Sequence, residues 1–159
     1  MKKLKLLTFV LCAAMLVALL PETASASGLT SGDGVVPYPV TGGNIYYKIY
    51  GEAAKVVGCD YTVTSAVIPD KLGDKTVTTI AMNAFRQLSS MTSVTLPSGL
   101  TTISDRAFYE CGNMELSSMN LPSGLTEIGE YAFFECNGLN GVLTLPSGLT
   151  SLGKNAFDS

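Results

Sequence analysis

The chain has no histidine and no tryptophan, and only 14% of its 159 residues are charged. Without histidine, neither a Ser-His-Asp nor a Cys-His catalytic arrangement can be assembled. A metal centre of the usual kind would need histidine or more cysteines than the chain has, so no metal and no cofactor is expected. Beyond Lys2, Lys3 and Lys5 at the very start, the lysines and arginines do not cluster along the sequence, and the formal charge is −3. That is the wrong balance for tracking a phosphate backbone, and no nucleic-acid partner is expected. Of the four cysteines, Cys12 lies in an apolar leader, which leaves Cys59, Cys111 and Cys136. An odd number of thiols does not suit a disulfide framework. No segment combines a glycine-rich loop with a helix start, so no nucleotide cradle is expected.

What is present begins with a leader. Residues 1–26 run from a basic start, MKKLK, through the apolar stretch Leu6–Leu20 to Ala24-Ser25-Ala26. This is the pattern of a secretory signal peptide, with cleavage expected before Ser27. As a retained anchor the apolar run falls short of the ~20 residues needed to cross a bilayer. The remaining chain is therefore expected to be secreted or held at the cell surface, with no membrane span after cleavage. Residues 27–43 contain seven glycines and prolines and read as a flexible linker. Residues 44–66 hold β-branched and aromatic runs such as NIYYKIY and predict a small N-terminal β cap.

From 67 to 159 the chain repeats itself. LPSGLTTISDRAFYEC (96–111), LPSGLTEIGEYAFFEC (121–136) and LPSGLTSLGKNAF (145–157) are successive copies, preceded by a looser one ending at Ala84-Phe85. The Ala-Phe pairs are separated by 23, 25 and 24 residues, while each Pro-to-Phe distance from Pro97 onward is 11. The slack lies between each Phe and the next Pro, so one half of each coil is held by packing and the other contains a loop. A period in this range predicts stacked coils with ladders of like side chains. Ile80, Ile103, Ile128 and Leu152 form one expected interior column, and Leu88, Cys111 and Cys136 another. The cysteines are expected to be buried free thiols. Strands are expected before each proline, at 91–96, 116–121 and 143–145.

The unit LPSGLT-x-I-x-x-x-AF-x-x-C resembles the BspA-type leucine-rich repeats of bacterial surface proteins, also called Treponema-type or the LRR_5 class. The resemblance covers about residues 66–159. It implies a β-rich solenoid, here of about 3.5 parallel-stranded coils, and a non-catalytic role in adhesion or in binding a host or other extracellular protein. It implies no catalytic or ligand residues, because its motif is a packing motif. Two departures stand out. The asparagine that follows the strand in better-known leucine-rich repeats is replaced by Pro-Ser-Gly, so the backbone at that corner needs other partners. The last coil also stops short at Ser159, which raises the expectation of a structural spacer or repeat fragment that self-associates through an open C-terminal edge.

Two surfaces are candidates for partner binding. The hydroxyl- and amide-rich strand positions Thr92, Ser93, Thr95, Ser117, Ser118, Asn120 and Thr144 would coat one sheet face. Arg86, Tyr109 and Phe134 share an exposed column, with Arg106 and Tyr131 in the column beside it, and such side chains anchor interfaces. For each surface the duller alternative is plain solubility or edge packing. Glu110 and Glu135 in adjacent coils superficially resemble a retaining glycosidase pair, but that chemistry needs carboxylates facing across a cleft. A solvated acidic column is the expectation, and Asp105 with Glu130 is read in the same way.

Overall fold

The computed structural model describes residues 34–115 and 119–159. The expected leader, the first part of the expected linker and the candidate residues Ser117 and Ser118 lie outside the described residues. The strands are β1 (Val36–Val40), β2 (Gly43–Tyr50), β3 (Ala53–Cys59), β4 (Ser65–Val67), β5 (Lys71–Leu72) and β6 (Lys75–Ile80). They are followed by β7 (Ser93–Thr95), β8 (Thr102–Ile103), β9 (Glu127–Ile128) and β10 (Ser151–Leu152). The main sheet runs β1-β2-β3-β6-β8-β9-β10, with β5 paired to β6, and β4 pairs β7 in a second, two-stranded sheet. β1 pairs β2 and β2 pairs β3 in antiparallel fashion, whereas β3, β6, β8, β9 and β10 follow one another in parallel. This is a parallel-strand solenoid of about four turns, led by a hairpin cap.

The cap reaches further back than the composition suggests. β1 falls inside the segment read as linker, and it carries Pro37 and Pro39 opposite Tyr46 and Asn44 of β2. Proline cannot donate to a ladder, but an edge strand needs donors on one side only, so this strand tolerates residues that read as a breaker. Asp60 ties the cap's end to β2. It is 3% exposed, and its carboxylate accepts from the Asn44 N–H at 2.8 Å, the Asn44 amide at 3.0 Å and the Tyr46 hydroxyl at 2.7 Å.

The repeat ladder does not run where the sequence pattern places it. Of the expected strands before each proline, only 93–95 forms, as β7, and 119–121 and 143–145 are not strands. The regular parallel pairing lies past the corner instead, through Thr79-Ile80, Thr102-Ile103, Glu127-Ile128 and Ser151-Leu152. The reason is the fixed Pro-to-Phe spacing. A constant count of residues keeps that half of each coil in register, while the variable half shifts by one or two residues per turn and loses its pairing.

The Pro-Ser-Gly corner satisfies itself. Leu100, Leu125 and Leu149 donate their N–H to the carbonyls of Pro97, Pro122 and Pro146 at 3.0–3.2 Å, closing a turn. The next residue is threonine in each coil. The hydroxyls of Thr101, Thr126 and Thr150 donate to the carbonyls of Thr78, Thr101 and Thr126, each at 3.1 Å. A threonine ladder thus supplies the bonds that an asparagine ladder would otherwise make. In the first corner the Asp70 carboxylate accepts from the Ser98 N–H and hydroxyl at 2.7 and 2.9 Å. The N–H bond is the main cause that holds the Asp70 carboxyl below its usual range, followed by the hydroxyl bond.

Inside, the expected columns are real. Phe85, Phe108, Phe133 and Phe157 stack in a continuous file with centroids 5.0, 5.1 and 5.0 Å apart. Ile80, Ile103 and Ile128 are fully buried, whereas Leu152 on β10 is 52% exposed. Cys59, Cys111 and Cys136 are free and buried. Their thiols donate to the carbonyls of Ala84, Phe85 and Phe108 at 3.2, 2.9 and 3.0 Å. Desolvation is the leading cause that pushes all three thiols up, Cys111 to about 12 and Cys136 to about 11. The fold also gathers what the sequence scatters, since β-pairing sets Lys48, Lys55 and Lys71 on one outer face of the cap sheet. Among the described residues no helix is long and apolar enough to cross a membrane.

Candidate binding surface

The two predicted surfaces fare differently. On the hydroxyl face, the Ser93 hydroxyl is engaged with that of Ser65 at 2.6 Å, and the Thr92 hydroxyl donates to the Thr64 carbonyl at 3.2 Å. Thr95 is exposed at the end of β7, and Asn120 and Thr144 are exposed but lie outside any strand. These residues do not line up as one sheet face among the described residues, because the slack half of the coil carries them.

The aromatic columns assemble as the register predicts. The Arg86 guanidinium lies 5.4 Å from the Tyr109 ring centroid, and the Tyr109 and Phe134 rings stack at 5.2 Å. In the neighbouring column the Arg106 guanidinium lies 5.4 Å from the Tyr131 ring, and Tyr131 meets Phe134 edge-on at 5.5 Å. Five side chains from three coils therefore form one connected surface, with its rings half-buried and both guanidiniums exposed. Neither arginine makes an ion pair within the described residues, so the outer edges of both remain available to a partner. Gln87 and Glu110 border this surface, joined at 2.9 Å. A hydrogen bond to Glu110 is the main cause that raises the Tyr109 hydroxyl, followed by slight burial and the nearby carboxylates, with Arg86 opposing.

The backbone beneath this surface is unusual, and the sequence holds a signal for it. Just before each Ala-Phe pair the chain turns left-handed, at Asn83 (φ 60°), Arg106 (φ 53°), Tyr131 (φ 55°) and Asn155 (φ 53°). It turns so again four residues later at Gln87, Glu110 and Glu135. The turns direct alternate N–H groups at the next coil: Asn83, Phe85 and Gln87 donate to the carbonyls of Asp105, Ala107 and Tyr109 at 2.7–3.2 Å. Asparagine tolerates this conformation well, and bulkier residues do so at a cost of roughly 1–2 kcal/mol. The first and fourth coils carry asparagine at the first left-handed position. The second and third carry Arg106 and Tyr131, the two residues that extend the surface. An outlier kept against the local rule points toward function.

Glu110 and Glu135 sit in successive coils, and their backbone N–H groups donate to the carbonyls of Phe134 and Asp158 in the coils beyond. Within the other acidic column, the Asp105 carboxylate accepts from the Glu130 N–H at 2.8 Å, an exposed bond that closes the corner between coils. Among the described residues no group of three or more acidic or cysteine side chains could hold a metal ion.

Comparison with known proteins agrees with this geometry. The family described as BspA type leucine rich repeat region matches residues 59–159, in six copies. A leucine-rich repeat protein from Bacteroides capillosus ATCC 29799 is 26% identical, with a TM-score of 0.64 over 76% of this chain and 89% of that one. The T. pallidum leucine rich repeat protein shares the fold at 19% identity, with a TM-score of 0.55 over 76% of this chain and 66% of that one. A leucine rich cell surface protein from Faecalibacterium prausnitzii A2-165 does so at 23% identity, with a TM-score of 0.56 over 80% and 41%. No curated protein sequence matches the chain.

Proposed function

The chain belongs to the BspA-type leucine-rich repeat family, and from that premise we propose that it is a non-catalytic module, exported to the cell surface, that binds an extracellular protein in adhesion. The observation that carries this reading is the connected surface of Arg86, Tyr109, Phe134, Arg106 and Tyr131. Aromatic and arginine side chains are the residue types that dominate binding energy at protein interfaces. Here two of them occupy left-handed backbone positions that asparagine fills elsewhere in the same repeat. Export is supported by the leader pattern of residues 1–26, and a surface location by the name of the Faecalibacterium prausnitzii neighbour. The non-catalytic reading is supported by the packing nature of the repeat motif and by the absence of histidine from the sequence.

The test is binding of the purified chain to an immobilised panel of extracellular-matrix proteins, repeated with the double variant Tyr109→Ala/Phe134→Ala. The expected result is a panel member whose binding is lost in the variant while the melting temperature shifts by only a few degrees. Binding that survives the double substitution, or that falls only in step with loss of fold, removes the argument.

A further inference from the structure

A second surface, on the cap sheet, has a different chemistry. β2 and β3 alternate buried and outward residues, and their register sets Lys48 directly opposite Lys55. Like charges in that relation destabilise an antiparallel pair. The outward row continues from Lys55 to Thr79 on β6. The row beside it runs Tyr50, Ala53, Thr76 and Lys71. With strands about 4.8 Å apart and about 3.3 Å of rise per residue, the Lys71 backbone stands on the order of 12 Å from that of Lys55. Two extended lysine side chains bridge that gap around one ligand. The Lys55 ammonium also lies 5.2 Å from the Tyr50 ring.

The chain itself does little to neutralise this face. Lys75 is paired with Glu52 at 2.6 Å. Lys48, Lys55 and Lys71 make no ion pair among the described residues. Residues 34–99 carry five basic and four acidic side chains, while residues 100–159 carry two basic and seven acidic. Most of the basic side chains thus lie in the first half, which is close to neutral, while the later coils are acidic.

We propose that this face binds an anionic glycan, with a sulfate or uronate group held between Lys48 and Lys55 and a second one at Lys71. The floor between them is small and hydroxylated (Ala53, Thr76 and Thr79), which suits the hydroxyls of a sugar chain. A protein partner fits less well, since lysine is depleted from interface cores and no apolar anchor stands at the centre of the patch. Nucleic acid fits less well too, because tight phosphate tracking draws on more cations than three and the chain as a whole is acidic. The proposal is independent of the aromatic surface, since the two share no residue.

The experiment measures binding of the full chain to immobilised dextran sulfate at graded NaCl, beside neutral dextran, polyglutamate and a DNA duplex. Expected is salt-sensitive binding to dextran sulfate only. The double variant Lys48→Gln/Lys55→Gln should weaken it about tenfold, with a melting temperature equal to or above that of the parent. Lys154→Gln and Tyr109→Ala/Phe134→Ala should leave it within about twofold. The inference is overturned if dextran sulfate is not bound at low salt, or if the lysine double variant binds within twofold of the parent. It is equally overturned if polyglutamate or DNA binds as tightly, since charge alone would then explain the binding.

Discussion

Replacing Arg106 and Tyr131 by asparagine separates the surface's role in folding from its role in recognition. Both residues hold φ near +54° on the pattern of Asn83 and Asn155, so asparagine fits the existing backbone. Left-handed strain costs a bulky residue about 1–2 kcal/mol, and asparagine keeps part of that cost, so relief should return about half of it per site. Against this, Arg106→Asn loses a cation–π contact at an exposed position, worth about 0.5–1 kcal/mol. The two terms offset each other, and the net change should be near zero. Tyr131→Asn also loses the edge-on contact with Phe134, about 0.5–1.5 kcal/mol, so it should be neutral or mildly destabilising. For a domain of this size 1 kcal/mol corresponds to about 3–5 °C. Calorimetry should therefore find Arg106→Asn within about 3 °C of the parent and Tyr131→Asn no more than about 6 °C below it. If these side chains anchor a partner, each should lose at least about 2 kcal/mol of affinity, roughly 30-fold. A drop of 10 °C or more in Arg106→Asn would show that the guanidinium holds the coils together. Full affinity in both variants would show that the strained positions serve no contact.

Other consequences follow from the interior. Phe133 stacks between Phe108 and Phe157, so Phe133→Ala should cost about 3–5 kcal/mol in urea denaturation. Phe157→Ala loses a single stacked neighbour at a half-buried site and should cost about half as much. Equal costs would break the case for a continuous stack. Asp60→Ala removes the acceptor of three hydrogen bonds at the cap and should cost about 2–4 kcal/mol, with protease nicking near β1 and β2 as a second readout; a change below 1 kcal/mol would mean that the cap is held otherwise. The thiols set a pH dependence. Burial keeps Cys59, Cys111 and Cys136 protonated in the fold, whereas unfolded cysteine ionises near 8.5. Their contribution is thus complete below about pH 8.5 and is lost as pH rises through about 11–12. At pH 10 each should have cost about 2 kcal/mol relative to pH 8. Cys136→Ala should flatten the fall in urea midpoint between these pH values, and an unchanged slope would contradict the burial.

The sequence determined the architecture by itself, because a repeat is a packing rule written several times. The constant distance from Pro97 to Phe108 and from Pro122 to Phe133 forces like residues to the same height in successive coils. The isoleucine file, the phenylalanine file and the outer column of Arg86, Tyr109 and Phe134 all follow from that count. Tertiary structure decided what periodicity does not encode. Which half of the coil carries the ladder depended on where register survives insertion, and so Ile80, Ile103 and Ile128 took the strand positions expected for the segments before each proline. β1 formed from a proline-bearing stretch because β2 offered it an edge. The left-handed turns under Arg106 and Tyr131 came from the need to aim alternate N–H groups at the next coil, a need imposed by stacking and not by any single repeat. Lys48, Lys55 and Lys71 became neighbours only when three strands and a hairpin folded back on one another, since pairing across strands has no signature along the chain.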